Sequence, residues 1–188
     1  VTEVQNAIAS GANAVGITVP DQKVGPAIAA LLTEAGLPFL ATDDSFQDEQ
    51  GADVPFVGFD GVEMGTEVGA EAAKLLNEAG WVGAGNKVGV LSAEVQTLSV
   101  CNDRTNAAKA QLLENVEGLT DADFIPVPYD GSADSALKAA PPVITAHPDI
   151  THWVLYACSD DGVSGMLRAL EAANFASQAL SPLLLAPT

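Results

Sequence analysis

Leu37-Pro-Phe-Leu-Ala-Thr-Asp-Asp44 is an apolar run that ends in two adjacent carboxylates. A short run of this kind reads as a buried strand, and in a parallel α/β sheet the loop after such a strand is where ligands bind. Two acids at that point can accept hydrogen bonds from a polar, hydroxyl-rich molecule. The same layout returns at His152-Trp-Val-Leu-Tyr-Ala-Cys-Ser-Asp-Asp161, in the other half of the chain. One strand-end acidic pair per half predicts a ligand held between two lobes.

On either side of these stretches, amphipathic segments alternate with short apolar runs. Residues 2–10 have helical spacing and stop at Gly11, Ala14–Val19 reads as a buried strand closed by Pro20, and Lys23–Ala35 is a helix stopped by Gly36. A polar loop over 45–53 and a strand over Pro55–Asp60 follow. The later half repeats the scheme, with helices predicted over 62–79, 102–115, 132–146 and 162–174 and strands over 87–92, 123–128 and 153–158. A last apolar run spans Leu183–Leu185. Such alternation makes parallel sheets joined by βαβ crossovers the expected architecture, an α/β fold. Pro141-Pro142 fits badly inside the 132–146 helix, because proline removes a backbone donor and clashes with the preceding turn. The pattern therefore predicts a helix split there, with a fresh start at Pro142.

With 188 residues, 48% of them apolar, the chain has enough material for one large α/β domain or two small ones. Twenty-five acidic residues against seven basic ones give a net charge of −18. That balance excludes phosphate-backbone binding, which needs a basic face, and disfavours docking on anionic lipid. Its simplest meaning is solubility. The two histidines, His147 and His152, flank a Pro-Asp turn, and neither they nor the two cysteines have zinc-like spacing, so no metal site is expected. Val1–Ser10 reads as a helix, not as a signal peptide, which suits a mature or a truncated product.

Each candidate residue has a plain structural alternative. Asp43 and Asp44 diverge on a strand end with no serine–histidine or cysteine–histidine partner in a recognisable motif nearby, so catalysis is not expected of them. Ligand hydrogen bonding and a solvated loop both fit. Gly83-Ala-Gly85 precedes a strand where a dinucleotide cradle must follow one, and reads as a linker; no nucleotide cofactor is expected. Arg104 opens a helix after a strand, where its fork can hold hydroxyls or a carboxylate, or simply pair with Asp103 or a neighbouring acid. Asn102 and Asp103 are equally readable as helix N-caps. Phe59 ends a strand, as a stacking face for a sugar ring or as core, and Trp153 reads as core. Cys101 and Cys158 follow strands that are neighbours in a flavodoxin-like order, so their sulfurs could meet. An extracytoplasmic chain would bond them and a cytosolic one would keep two thiols.

Several segments, in order, resemble the type I periplasmic sugar-binding proteins of ABC transporters, the arabinose-binding branch above all. They are Gly11–Ile17 with Pro20–Ile28, Leu37–Phe46, Phe56–Gly65, His147–Trp153 and Ser159–Gly165. The resemblance runs over essentially the whole chain and rests on the ordered set, since no single motif decides it. It implies two Rossmann-like (flavodoxin-like) parallel-sheet lobes joined by a hinge. Residues 1–60 would be part of the N-terminal lobe and 61–188 most of the C-terminal lobe, with crossings near 60 and 186. The family's opening strand and helix would precede Val1, and its returning C-terminal part would follow Thr188.

By that resemblance Asp43 and Asp44 match sugar-hydroxyl acceptors, and Arg104, with Asn102 and Asp103 beside it, falls where a ligand-contacting arginine is placed. Asp160 joins the hydroxyl-reading set, with Phe59 as a stacking face. Ser159 stands where asparagine is usual, which implies a water-mediated contact or one made with a shorter side chain, and Ala186 stands where Asp or Asn is general. The implied function is non-catalytic capture of a pentose or hexose for an ABC importer. The protein would be a monomer, periplasmic or anchored outside the membrane, with the transporter's membrane subunits as partners, no nucleic acid and no cofactor. The alternative is the effector-binding domain of a lac-repressor-like regulator, which shares the fold. An α/β enzyme using Asp43 or Asp44 lacks a supporting constellation.

Overall fold

A computed structural model describes residues 1–175 and 178–180 of the chain. They divide into two compact units. One holds Val1–Gly61 with Thr97–Val100, and the other Val62–Gln96 with the described residues from Cys101 onward.

In the first unit α1 (Thr2–Ala9), β1 (Val15–Ile17), a 3-10 turn (Gln22–Val24), α2 (Gly25–Glu34), β2 (Phe39–Asp43) and β3 (Phe56–Gly58) follow one another. The three strands are parallel in the order β1-β2-β3. Val4 and Ile8 of α1 and Ile28, Ala29 and Leu32 of α2 pack with Val15, Ile17, Phe39 and Ala41. Side chains alternate across a strand, so Gly16 and Leu40 turn to the opposite face, which is exposed; Val57 of β3 is 68% exposed. This corrects the expectation of fully buried strands. Both helices lie on one face, and among the described residues of the unit no helix covers the other. Gly36 stops α2 as expected. At φ +67° it lets its own N–H reach Thr33 O and the Leu37 N–H reach Leu32 O, the paired closure of a Schellman motif.

The second unit contains α3 (Gly61–Ala79) and α4 (Ser99–Asn115) apart from their opening residues, with β4 (Val88–Glu94), β5 (Phe124–Pro128), α5 (Ala133–Ala146), β6 (His152–Ala157), α6 (Asp160–Ala172) and β7 (Ala179–Leu180). Its strands are parallel in the order β5-β4-β6-β7. Here both faces are covered. Val88, Val90, Val154 and Tyr156 pack with Ala72, Ala73 and Leu76 of α3 and Ala108 and Leu112 of α4. Leu91, Ala93, Trp153 and Leu155 face Ala136, Ala140, Met166 and Leu170 of α5 and α6. Trp153 is core, as its place in the strand pattern predicts.

Three expectations change. The 133–146 helix runs unbroken through Pro141 and Pro142. Both prolines lie on its exposed side, and the Thr145 hydroxyl bonds Pro141 O at 2.8 Å. Helix α4 begins at Ser99, a turn earlier than its polarity suggests, so Asn102 and Asp103 are helical residues and not N-caps. Helix α6 begins at Asp160, which puts Asp160 and Asp161 in its first turn, where the helix dipole favours acids. The 183–185 run and Ala186 lie outside the described residues.

Candidate functional site

In the first unit, the candidate residues stand at the C-terminal end of β2. Asp43 is the last strand residue, paired with Gly58 of β3. It has φ +67°, and the Asp44 N–H donates to Thr42 O across it at 2.8 Å. A bond from residue i to i+2 over a central residue with positive φ is the rare, strained form of γ-turn. Strain of this kind costs on the order of 1–3 kcal/mol and persists only where the surroundings impose it. The surroundings are visible: a Cβ on Gly58 would stand 2.7 Å from the N, Cα and O of Asp43. The turn sends the two carboxylates to different places. Asp43 is exposed, while Asp44 is only 6% exposed.

The chain after the acids is tied down. Phe46 is buried with its ring on Gly25, and the Val54 N–H returns to Phe46 O. The Asp48 carboxylate accepts from the Gln50 and Ala52 amides at 2.9 Å. A cavity of about 320 Å³ opens beside Ser45. Its amides are spent on its own walls, since Gln22 Nε2 donates to Ser45 O and Gln47 Nε2 to Asp53 Oδ1. Phe59, just past β3, is 64% exposed, so the core alternative for it fails.

In the second unit, the candidates gather at the C-terminal ends of β4, β5 and β6. From β4 the chain leads to β5 on one side, and from β5 to β6 on the other side of β4. The order therefore reverses between β4 and β6, which is where open α/β sheets form a crevice at their strand ends. Cys101 in the first turn of α4 and Cys158 after β6 are joined by a disulfide across that place, with Cα atoms 5.0 Å apart. The pairing left open by the sequence is made. Arg104, one turn further along α4, spans the same gap and donates through one Nη to Cys158 O at 3.2 Å. Its backbone is set by α3, because Gly65 lets that helix come so close that a Cβ there would lie 2.2 Å from Arg104 O.

Asn102 is committed to structure, its amide donating to Gln96 O at 3.1 Å, while Asp103 and Asp160 are exposed. Ser159 is half-buried at the N-cap of α6, with its hydroxyl 3.0 Å from Tyr129 Oη. Tyr129 follows β5 directly and went unnoticed in the sequence. Its position one residue past a strand end was the available signal. Burial pushes its phenol above the usual tyrosine range, against the opposing pull of the Ser159 hydrogen bond. The structure thus brings Arg104, Ser159 and Tyr129 together around the disulfide, and Asp43 and Asp44 together at β2. Among the described residues no group of three His, Cys, Asp or Glu side chains is placed to hold a metal.

A family model described as "Periplasmic binding protein domain" matches residues 1–181. The chain is 31% identical over 172 residues to an ABC transporter L-arabinose-binding periplasmic protein of Azospirillum brasilense, covering 89% of this chain and 50% of that one. To the L-arabinose-binding periplasmic protein of Escherichia coli K12 it is 28% identical over 171 residues, covering 89% and 51%. It thus spans about half the length of the curated relatives it matches. Among solved structures, a periplasmic solute-binding protein from Actinobacillus succinogenes with bound D-allose superposes with a TM-score of 0.73 at 21% identity, over 97% of this chain and 64% of that one. A solute-binding protein from Bacillus halodurans with bound myo-inositol gives 0.75 at 21%, over 95% and 58%. These likenesses extend the α/β fold to proteins of known architecture.

Proposed function

Because this chain belongs to the periplasmic binding protein domain family, we propose that it is the ligand-binding part of a solute-binding protein that captures a pentose or hexose for an ABC importer, without catalysis. Residues 1–60 would belong to its N-terminal lobe and 61–188 to most of its C-terminal lobe. The observation that carries the reading is the strained turn at the end of β2, which leaves the Asp43 carboxylate exposed at the place where parallel sheets bind ligands, with Asp44 buried behind it. Asp43 and Asp44 accept sugar hydroxyls, Arg104 donates to the sugar, Ser159 contributes a hydroxyl, and exposed Phe59 offers a stacking face. Asp103 and Asp160 stand at the margin of this set, and Asn102 supports Arg104 through the loop it ties. The names of the matched relatives, which are transport proteins, favour this over a regulator's effector domain.

The Cys101–Cys158 bond supports an oxidising compartment, the periplasm or the outer side of a membrane to which the protein is anchored. The working form is a monomer that meets the importer's membrane subunits. Calorimetric titration of the full-length protein with L-arabinose, D-allose and D-tagatose tests the reading, and tight binding of one of them is expected. If none binds, or if Asp43→Asn and Asp44→Asn both bind like the parent, the assignment fails.

A further inference from the structure

Ser159 stands at the N-cap of α6 with extended backbone (φ −151°, ψ 162°), yet its side chain does not cap the helix. Serine at this position ordinarily accepts from an amide of the first turn. Here its hydroxyl is drawn aside to Tyr129 Oη, 3.0 Å away, and that phenol oxygen also lies 3.2 Å from Cys158 Sγ. A disulfide sulfur carries no proton, so in the contact with sulfur Tyr129 is the donor. If Tyr129 gives its proton to sulfur, Ser159 must give its own to Tyr129. If Tyr129 gives it to Ser159, the serine proton is released outward.

Everything around the phenol fixes its position. The Tyr129 N–H bonds Glu94 O and the Cys158 N–H bonds Ala93 O, so both residues are pinned to β4. The ring packs against the first turn of α6, where a Cβ on Gly162 would come within 3.2 Å of Tyr129 Cζ. The disulfide holds Cys158, and Arg104 donates to the carbonyl of that same cysteine.

We propose that Tyr129 is a positioning residue, which turns the Ser159 hydroxyl away from its helix and presents it to the bound sugar as donor or acceptor. The proposal rests on the sugar-binding reading above. Its test is a double-mutant cycle on the full-length protein, titrating the tightest binder among L-arabinose, D-allose and D-tagatose into the parent, Tyr129→Phe, Ser159→Ala and the double variant. A lost neutral hydrogen bond of roughly 1 kcal/mol predicts about fivefold weaker binding for each single variant. Because Tyr129 acts only through Ser159, the double variant should bind no more weakly than Ser159→Ala alone. Tyr129→Phe binding like the parent, or an additive double variant, overturns the positioning role while the sugar reading stands. A parent that binds none of the three overturns both. If Tyr129→Phe does not fold, Tyr129→Met, which is no larger than tyrosine and carries no hydroxyl, takes its place in the cycle under the same criteria.

Discussion

The two strand-end acidic pairs, Asp43-Asp44 and Asp160-Asp161, look alike in sequence and are built differently. After Asp44 the chain runs into a loop held by Phe46, and the first acid is forced into a left-handed conformation that buries the second. After Asp161 comes Gly162, and the chain enters α6 at once, so both acids become exposed first-turn residues. Acids there stabilise the helix by a few tenths of a kcal/mol to about 1 kcal/mol through its dipole. The side chains that hydrogen-bond across that strand end are those of Ser159 and Arg104 instead. A pair of carboxylates at a strand end therefore says little until the next residues decide between turn and helix.

The sharpest way to break this contrast is to neutralise one acid in each pair. Asp44→Asn should weaken sugar binding by about ten- to a hundredfold, the loss of a charge-assisted bond of roughly 1.5–3 kcal/mol, whereas Asp160→Asn should stay within about threefold of the parent. Equal losses in titration would show that the pairs are equivalent after all. Next in size is Gly65→Ala, whose methyl would meet the Arg104 carbonyl. It should destabilise the protein by about 1–3 kcal/mol in urea unfolding and weaken binding through displaced Arg104. Unchanged stability would mean that α3 does not set that arginine. The smallest effect belongs to Asp43→Gly. Glycine adopts positive φ freely, so unfolding should show it unchanged or stabilised by up to about 1 kcal/mol while affinity falls. A variant that loses stability would show the turn to be unstrained.

Much of the fold was legible because it depends on local signals: Gly36 as a helix stop, the apolar runs as strands, Trp153 as core. The exceptions share a cause. Leu40 and Val57 read as buried because they sit in apolar runs, but burial depends on which face the helices cover, and that is a tertiary fact. Pro141-Pro142 reads as a break because proline cannot donate, yet the helix tolerates both on a side open to water. At the candidate site, Asp43 could be singled out from its strand-end position and Arg104 from a helix that follows a strand, while Ser159 came from the family resemblance alone. The positive φ at Asp43 could not, since it needs Gly58 from another strand. Nor could the bond between Tyr129 and Ser159, which are 30 residues apart and meet only when β5 and β6 flank β4.

The disulfide also bears on the chain when it is not folded. It joins residues 57 apart, with β5, α5 and β6 threaded between them. Closing a loop of that length removes denatured-state entropy worth roughly 4 kcal/mol in the chain-entropy account, a large part of the 5–15 kcal/mol that typically holds a domain together. The first unit has no such tie, since both cysteines of the chain are in the second. The two units therefore face thiols unequally. A reductant withdraws a large share of the second unit's margin against unfolding and leaves the first unit's own margin unchanged.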